Sequence, residues 1–528
     1  MSGELHGTTA LIRVHLRTMG VQTAVTVAGI AGIVVAVMTG VLSLFETAES
    51  RTRYAATMGS SPATAAINGR GHDLDTIGGI ATYEVGFFGL LVLPALVLAL
   101  TIRSARGQED LGRVDLVTAA RVGRLAPLAA PMTVAFAAIA AAATGIAIGA
   151  TAVGHDGAGS ARYALAVALY LGTVAGFGFL CGEVVQSARG AAGFAFGVLG
   201  LLYLVRAVVD GRSLDLPWLT PASWLAAARP FSTAPPAWPY LALAGTTILA
   251  GAAALRLRSR RDLGAGVLPP RPGPATGRIR TPLALAAHLS RGAGTEWLAG
   301  VAAWGVVMGL LAQEMRSMIG GNPEIARALT GSGSGAPDDA LVYLSTVVIG
   351  VAAAGVGVQM VGRLAAEESA GRFALVLSGA VSRPAWVAAS GAVVAAQIVA
   401  VLVVGAVAFG TGATLAGSPW PTSTSAAGAV LVYGAAAALI TSVALALFAW
   451  SPRRAALAWA LPVWALLVAL LAETLRMPQW LRDTSPLHWL GRLPMDSLDP
   501  VATAVILATT LTLLALGFRR LTVRDVAG

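Results

Sequence analysis

Glu109-Asp110-Leu111-Gly112-Arg113, followed by Leu116-Val117 and then Arg124, occurs a second time as Glu368-Ser369-Ala370-Gly371-Arg372, with Leu375-Val376 and Arg383. Every interval is preserved across a shift of 259 positions, from Glu109 to Glu368. Both copies lie between long apolar runs. Segments this charged do not enter a bilayer, so both are connectors, and a duplicated connector implies duplicated flanking elements.

The flanking runs set the class. Of 528 residues, 56% are hydrophobic and 12% charged, with a mean hydropathy of +0.74. Soluble domains carry about 25% charged residues, and a soluble chain this apolar would expose large adhesive patches. About 20 apolar residues are needed for a helix to cross the hydrocarbon core. Windows of that length fall near 21–44, 79–102, 128–152, 162–183, 190–209 and 237–256, then 294–313, 340–361, 386–410, 425–449, 455–474 and 500–518. The reading is an all-α polytopic membrane protein with about twelve spans. Gly and Ala fill the spans, which suits close helix packing. Gly145/Gly149 and Gly193/Gly197 have helix-pairing spacing, but among 62 glycines they receive no functional weight.

The formal charge of +10 is carried without any Lys. Arg103, Arg106, Arg113, Arg121 and Arg124 follow span two, a series from Arg256 to Arg291 follows span six, and Arg519, Arg520 and Arg524 follow span twelve. The alternate connectors are mixed in sign. Positive connectors mark the cytoplasmic face, which places both termini and both motif copies inside, in the plasma membrane. The basic excess is thus a topology signal, and nucleic acid is not an expected partner. An Arg-only, Ala/Gly-rich chain also fits a high-GC actinobacterial source.

Several chemistries are excluded or lack their residues. A phosphate-binding Walker loop needs a Lys, and none exists. Cys181 is the single cysteine, so there is no internal disulfide and no Cys-rich metal centre. The six histidines are scattered, and neither G-x-S-x-G nor H-E-x-x-H occurs. Neither a catalytic nor a metal site is expected. The first apolar run is too long for a signal peptide and lacks a cleavage site. Before it, Leu5, Ile12, Leu16 and Met19 share a helical face flanked by Arg13 and Arg17, which predicts a helix lying in the inner interface. Leu285–Arg291 prefigures the same before span seven.

The repeat extends beyond the motif. Ser187-Ala188-Arg189 matches Ser451-Pro452-Arg453, Thr220-Pro221-Ala222-Ser223-Trp224 matches Ser485-Pro486-Leu487-His488-Trp489, and Arg261-Asp262 matches Arg524-Asp525. The chain therefore reads as two six-span halves, 1–263 and 282–528, joined by a Pro/Gly/Arg-rich linker at 264–281. Six is even, so the halves share one orientation. The loops before the sixth and twelfth spans combine Pro with Trp218, Trp224, Trp480 and Trp489, as expected for chain lying at the outer interface.

Two halves, each with E-x-x-G-R-x-x-L-V…R after its second span and Pro-x-x-Trp before its sixth, resemble the permease subunit of a type-2 ABC exporter. More narrowly, the chain resembles the fused actinobacterial permeases that export polyketide antibiotics, including the tetronasin-resistance type. The resemblance covers essentially the whole chain. It implies that Glu109, Asp110, Gly112, Arg113 and Arg124, with Glu368, Gly371, Arg372 and Arg383, form two coupling helices docked on separate cytoplasmic ATPase subunits. Those subunits would bind the ATP and Mg, and this chain would carry no cofactor. Arg189 and Arg453 would add a secondary contact. It further implies a central pathway for hydrophobic small-molecule cargo, with Phe87, Phe88 and Tyr203 as candidate contacts. Asp110 and Asp115 are replaced by Ser369 and Ala374 in the second copy, which leaves open whether the two ATPases are identical.

Two other classes compete. A proton-coupled twelve-span facilitator would carry G-x-x-x-D-x-x-G-R after span two; Gly107, Asp110, Gly112 and Arg113 approach it with one residue too few. Its proton site would need acidic residues within spans, where Glu84, Glu183 and Glu473 are the candidates. A membrane scaffold or lipid-linked-substrate enzyme would need clustered Asp, Glu or His at one interface, and none is apparent.

Overall fold

The computed structural model describes residues 3–59, 62–267, 277, 279–310, 312, 337–379, 381–417, 420–472 and 477–524. Residues 268–276 and 278 of the expected linker, and Glu473, lie outside them. The described chain is all-α, and eleven of its helices are long and apolar enough to cross a membrane. It divides into two compact units, Met1–Gly273 and Pro274–Gly528.

In the first unit α1 (Thr8–Leu44) is followed by three short helices, α2 (Ala48–Met58), α3 (Pro62–Asn68) and α4 (Ile77–Glu84). Next come α5 (Leu93–Ser104), α6 (Arg106–Asp110), α7 (Arg113–Thr118), α8 (Ala126–Val153), α9 (Gly157–Val184), α10 (Ala188–Gly211), α11 (Pro221–Ala227) and α12 (Trp238–Arg258). Local chemistry marks the starts. Thr47, Thr76, Asp156, Ser187 and Thr220 each accept a backbone N–H through the side chain and so cap the helix that follows. The core gathers Val34, Met38, Leu93, Leu98, Ile146, Val167 and Tyr170 around α9. Gly145 and Gly149, given no functional weight above, sit where α8 meets α1: a Cβ on Gly149 would lie 2.6 Å from Val35. Gly193 and Gly197 face open space.

The second unit contains α13 (Pro282–Leu310), α14 (Pro337–Ser369), α15 (Arg372–Leu377), α16 (Arg383–Leu415) and α17 (Trp420–Trp450). A 3₁₀ segment at Pro452–Trp459 leads into α18 (Ala460–Leu471), then α19 (Gln479–Arg482), α20 (Pro486–Trp489) and α21 (Pro500–Val523). Its own core is built from Ile349, Val356, Val401, Tyr433, Ala436 and Ile440.

Three expectations are redrawn by local geometry. First, the expected interfacial helix is not separate, because α1 runs unbroken from Thr8 and contains no proline. At 1.5 Å per residue it is roughly 55 Å long, well beyond a hydrocarbon core of about 30 Å. Second, the span expected at 79–102 is interrupted between α4 and a π-turn at Phe88–Val92. Gly86 lies against Asn68, where a Cβ would stand 2.1 Å from the backbone oxygen, and the Phe87 N–H donates to Asn68 Oδ1 at 3.3 Å. Third, eleven long helices are found among the described residues where twelve were expected. The twelfth, expected at 455–474, is seen as the 3₁₀ segment and α18 as far as Ala472, and its last two residues lie outside the described ones.

Candidate functional site

Each motif copy folds as a helix, a glycine turn and a short helix, the first helix being the five-residue α6 in one copy and the long α14 in the other. Gly112 has φ +68° and Gly371 φ +73°, in the left-handed region that glycine occupies without strain. A Cβ at either position would meet nothing within 4 Å, so backbone conformation, not space, selects glycine here. Across each turn an Arg reaches back five residues: Arg113 Nη1 donates to Gln108 Oε1 at 2.9 Å, and Arg372 grips Glu367 through Nε at 2.5 Å and Nη2 at 2.9 Å. The short helices α7 and α15 bury none of their residues. Leu116 is 79% exposed and its counterpart Leu375 is 75% exposed, while Phe373 and Val376 turn inward against Ala286 and Trp386.

The motif's two glutamates do not lie on this exposed surface. The Glu109 side chain is only 6% exposed and receives Arg258 Nη1 at 3.1 Å, Arg261 Nη2 at 2.6 Å and the Gly264 N–H at 2.7 Å. Arg261 also pairs with Glu183, and the buried Arg106 joins through Glu109 at 3.1 Å and Asp110 at 3.5 Å. Three guanidinium groups thus meet three carboxylates, which offsets the cost of taking each charge out of water. Burial works against the Arg261 charge, but Glu109 and Glu183 more than compensate, and its pKa stands above the ordinary value.

The second unit repeats the grip. Glu368, its side chain 1% exposed, accepts Arg524 Nη2 on both oxygens at 2.7 and 2.5 Å. The last repeated member of the motif completes each clamp. Arg124 Nη2 donates to the Arg261 carbonyl at 2.9 Å, and Arg383 donates to the Arg524 carbonyl. In both units, therefore, the motif Glu holds the side chain and the motif Arg holds the backbone of one arginine just past the unit's last long helix. Glu109 and Glu368 are buried braces, Arg124 and Arg383 complete them from the margin, and Arg113, Leu116, Arg372 and Leu375 are the surface.

Asp110 has a separate task. Its Oδ2 accepts the Ala188 N–H at 2.6 Å, at the positive end of α10. Ser369, its counterpart, returns to the Ala365 carbonyl at 2.8 Å, and the segment equivalent to the start of α10 is 3₁₀. The Asp/Ser asymmetry follows from how the fifth helix starts in each unit. Arg189 and Arg453 are exposed at those two starts.

The remaining candidates lie at the other end of the helices. Phe87 and Tyr203 approach edge to face at 6.4 Å, and Phe87 and Phe88 at 5.7 Å. Tyr203 is buried, donates to the Ile67 carbonyl at 2.9 Å and lies under the Arg206 guanidinium, so it ties α10 to α3. Trp224 donates its indole N–H to the Trp218 carbonyl at 3.0 Å, and Trp489 donates to the Asp483 carbonyl at 2.7 Å. The same bond, six residues back, folds both Pro-x-x-Trp loops, while Trp218 and Trp480 are exposed. Of the two described candidates for an acidic proton site, Glu183 is paired with Arg261, and Glu84 accepts a hydrogen bond from Tyr54. The contributions of Arg106, Arg258 and Glu183 were not foreseen; their signal was an excess of charge near predicted span ends.

Residues 279–521 match the family described as multidrug efflux system permease Rv1217c, C-terminal domain. Over 529 aligned residues, the chain is 31% identical to the multidrug efflux system permease protein Rv1217c of Mycobacterium tuberculosis, spanning 98% of this chain and 95% of that relative. A match of that extent runs through both units and both motif copies, and the chain belongs to the family of this efflux permease.

Proposed function

We propose that this protein is the membrane-spanning subunit of an ATP-driven exporter that moves hydrophobic small molecules, drugs and antibiotics among them, out of the cell. The observation that carries this reading is the twice-built clamp. In each unit a glycine turn sets a short helix with an exposed leucine, and the glutamate before that turn is held by buried ions to an arginine just past the unit's last long helix. Such a helix transmits a push instead of yielding to it. Membership in a family whose mycobacterial member is named a multidrug efflux permease supports the cargo class. A chain without Lys has no Walker loop of its own, so ATP and Mg would be handled by two docked ATPase subunits. The Arg distribution supports placing α7, α15 and both termini on the cytoplasmic side of the plasma membrane. The order along the chain supports two tandem halves, about 1–263 and 282–528, in one orientation. The proton-coupled reading is weakened by the partners found for Glu84 and Glu183.

Co-expression with candidate ABC ATPases of the source organism tests this. Leu116→Asp with Leu375→Asp should abolish co-purification and cargo-stimulated ATP hydrolysis. The thermal midpoint should hold, because exposed substitutions cost only about 0.5 kcal/mol. Export that continues without ATP and stops when the proton gradient collapses would refute the proposal.

A further inference from the structure

Midway along α13, a helix long and apolar enough to cross a membrane, stands Glu296. It is the only acidic residue on α13, and its side chain is exposed. Among the described residues it has neither an ion pair nor a hydrogen bond, and Arg291, the other charge on the helix, does not reach it. A carboxylate on a spanning helix is costly, and such residues mark ligand sites and ion pathways. Glu296 lines a groove of about 380 Å³ between α13 and α14, with Trp297, Gly300 and Trp304 on its own helix and Ala352 and Gln359 opposite. Gln359 precedes Glu368 by nine residues on α14, about 13 Å at 1.5 Å per residue. The groove therefore lies within the span, away from the clamp.

The two indoles are held in place by their edges. Trp297 Nε1 donates to Gln359 Oε1 at 2.5 Å, and Trp304 Nε1 donates to the Ser345 carbonyl at 3.3 Å. With both N–H groups engaged, each half-buried ring adds only carbon surface to the lining. The groove thus offers one carboxylate beside aromatic surface, and both attract cations. The repeat does not supply this site twice. Aligning His15-Leu16 with His288-Leu289 puts Thr23 in register with Glu296 and Ala31 with Trp304, and α1 contains no Asp, Glu or Trp. Glu296 and its indoles lie outside what the two units share.

We infer that this groove binds a lipophilic organic cation, with its charged centre beside Glu296 and its aromatic or alkyl body along Trp297 and Trp304. A neutral molecule of the same shape leaves the carboxylate unmatched, and an anion meets it as a like charge, so selection is by the sign of the charge. As a cargo site the groove rests on the export reading. As a binding site it does not, because binding needs no ATPase.

Equilibrium dialysis of radiolabelled tetraphenylphosphonium against the full-length protein in phosphatidylcholine nanodiscs, with empty nanodiscs subtracted, tests the site. Binding should saturate. Glu296→Gln should weaken it about ten-fold, the scale of a close charge pair in a partly desolvated site, and Glu296→Asp should retain most of it. Trp304→Leu should weaken it about five-fold, the scale of a cation over one ring. Gly300→Phe, at a position where a Cβ meets nothing within 4 Å, should fill the groove with Glu296 intact, which keeps the test decisive if the Trp304 variant repacks. Tetraphenylborate has the same shape and the opposite charge, and should show no saturable binding that depends on Glu296. Tetraphenylphosphonium binding that does not saturate, or that is equal in wild type, Glu296→Gln and Gly300→Phe, overturns the proposal, as does tetraphenylborate binding at the same groove with equal strength. The Leu116 and Leu375 variants should bind the cation as wild type does, so failure of this site and failure of ATPase docking are read apart.

Discussion

At the scale of single residues, Glu109 and Glu368 carry the structural load of the repeated motif. Removing one member of a buried ion cluster strands its partners, which costs about 3–5 kcal/mol. Glu109→Ala leaves Arg258 and Arg261 short of a carboxylate, and Glu368→Ala leaves Arg524 with less compensation. Both variants should lower the thermal midpoint in detergent far more than Arg189→Ala, whose side chain is exposed. An equal, small shift for all three would show that the clamps contribute nothing to stability. His72 supplies a pH dependence. Burial, with the nearby Arg229 and Arg70, holds its imidazole below the ordinary value of 6.5, while Asp73 opposes this. Below that pH the unfolded chain binds the proton more readily than the folded one, so stability falls as pH drops from 6.5 toward the folded value. The midpoint difference between wild type and His72→Gln, measured from pH 7.5 to 5, should change in that window and be flat above it.

At the scale of elements, α7 and α15 show how one residue sets the direction of a helix. With φ near +70°, any Cβ at Gly112 or Gly371 brings a cost of about 1–2 kcal/mol even though space is free. Gly371→Val should therefore loosen residues 372–377, seen as faster amide exchange in that peptide. Gly371→Asn should be milder, because Asn visits the left-handed region more readily. Identical exchange in both variants would mean that the turn is not what positions α15. The Gly-Arg spacing also gains a reason: an Arg directly after the turn reaches Gln108 or Glu367, residues that are themselves 259 positions apart.

At the scale of the whole molecule, the motif ends and the Pro-x-x-Trp loops fall at opposite ends of the helices in each unit. Cys181 is buried, so cysteines introduced at exposed sites report accessibility against a silent background. Leu116→Cys and Leu375→Cys should react with a membrane-impermeant maleimide only in inverted vesicles, and Trp218→Cys and Trp480→Cys only in intact cells. Leu116 and Leu375 labelling from opposite sides would break the shared orientation of the halves. The all-α membrane class was legible in the sequence because apolar run length is a one-dimensional property. The repeat was legible for the same reason, since fixed spacing survives without knowledge of contacts. The break in the second span was not, because it depends on Asn68 meeting Gly86 and Phe87 from a separate helix.

The sequence by itself determined the class, the duplication and the residues Glu109, Gly112, Arg113, Arg124 and their second copies. Spacing and hydropathy are written along the chain, and charge excludes these segments from the bilayer wherever the helices go. Only the tertiary structure decided what each residue does. Arg261 lies 152 positions from Glu109, and Arg524 lies 156 from Glu368. No local pattern pairs residues so far apart. The buried side of the motif became a brace because the last long helix of each unit returns beside it, and the surface that remained is the exposed leucine and arginine of a short helix.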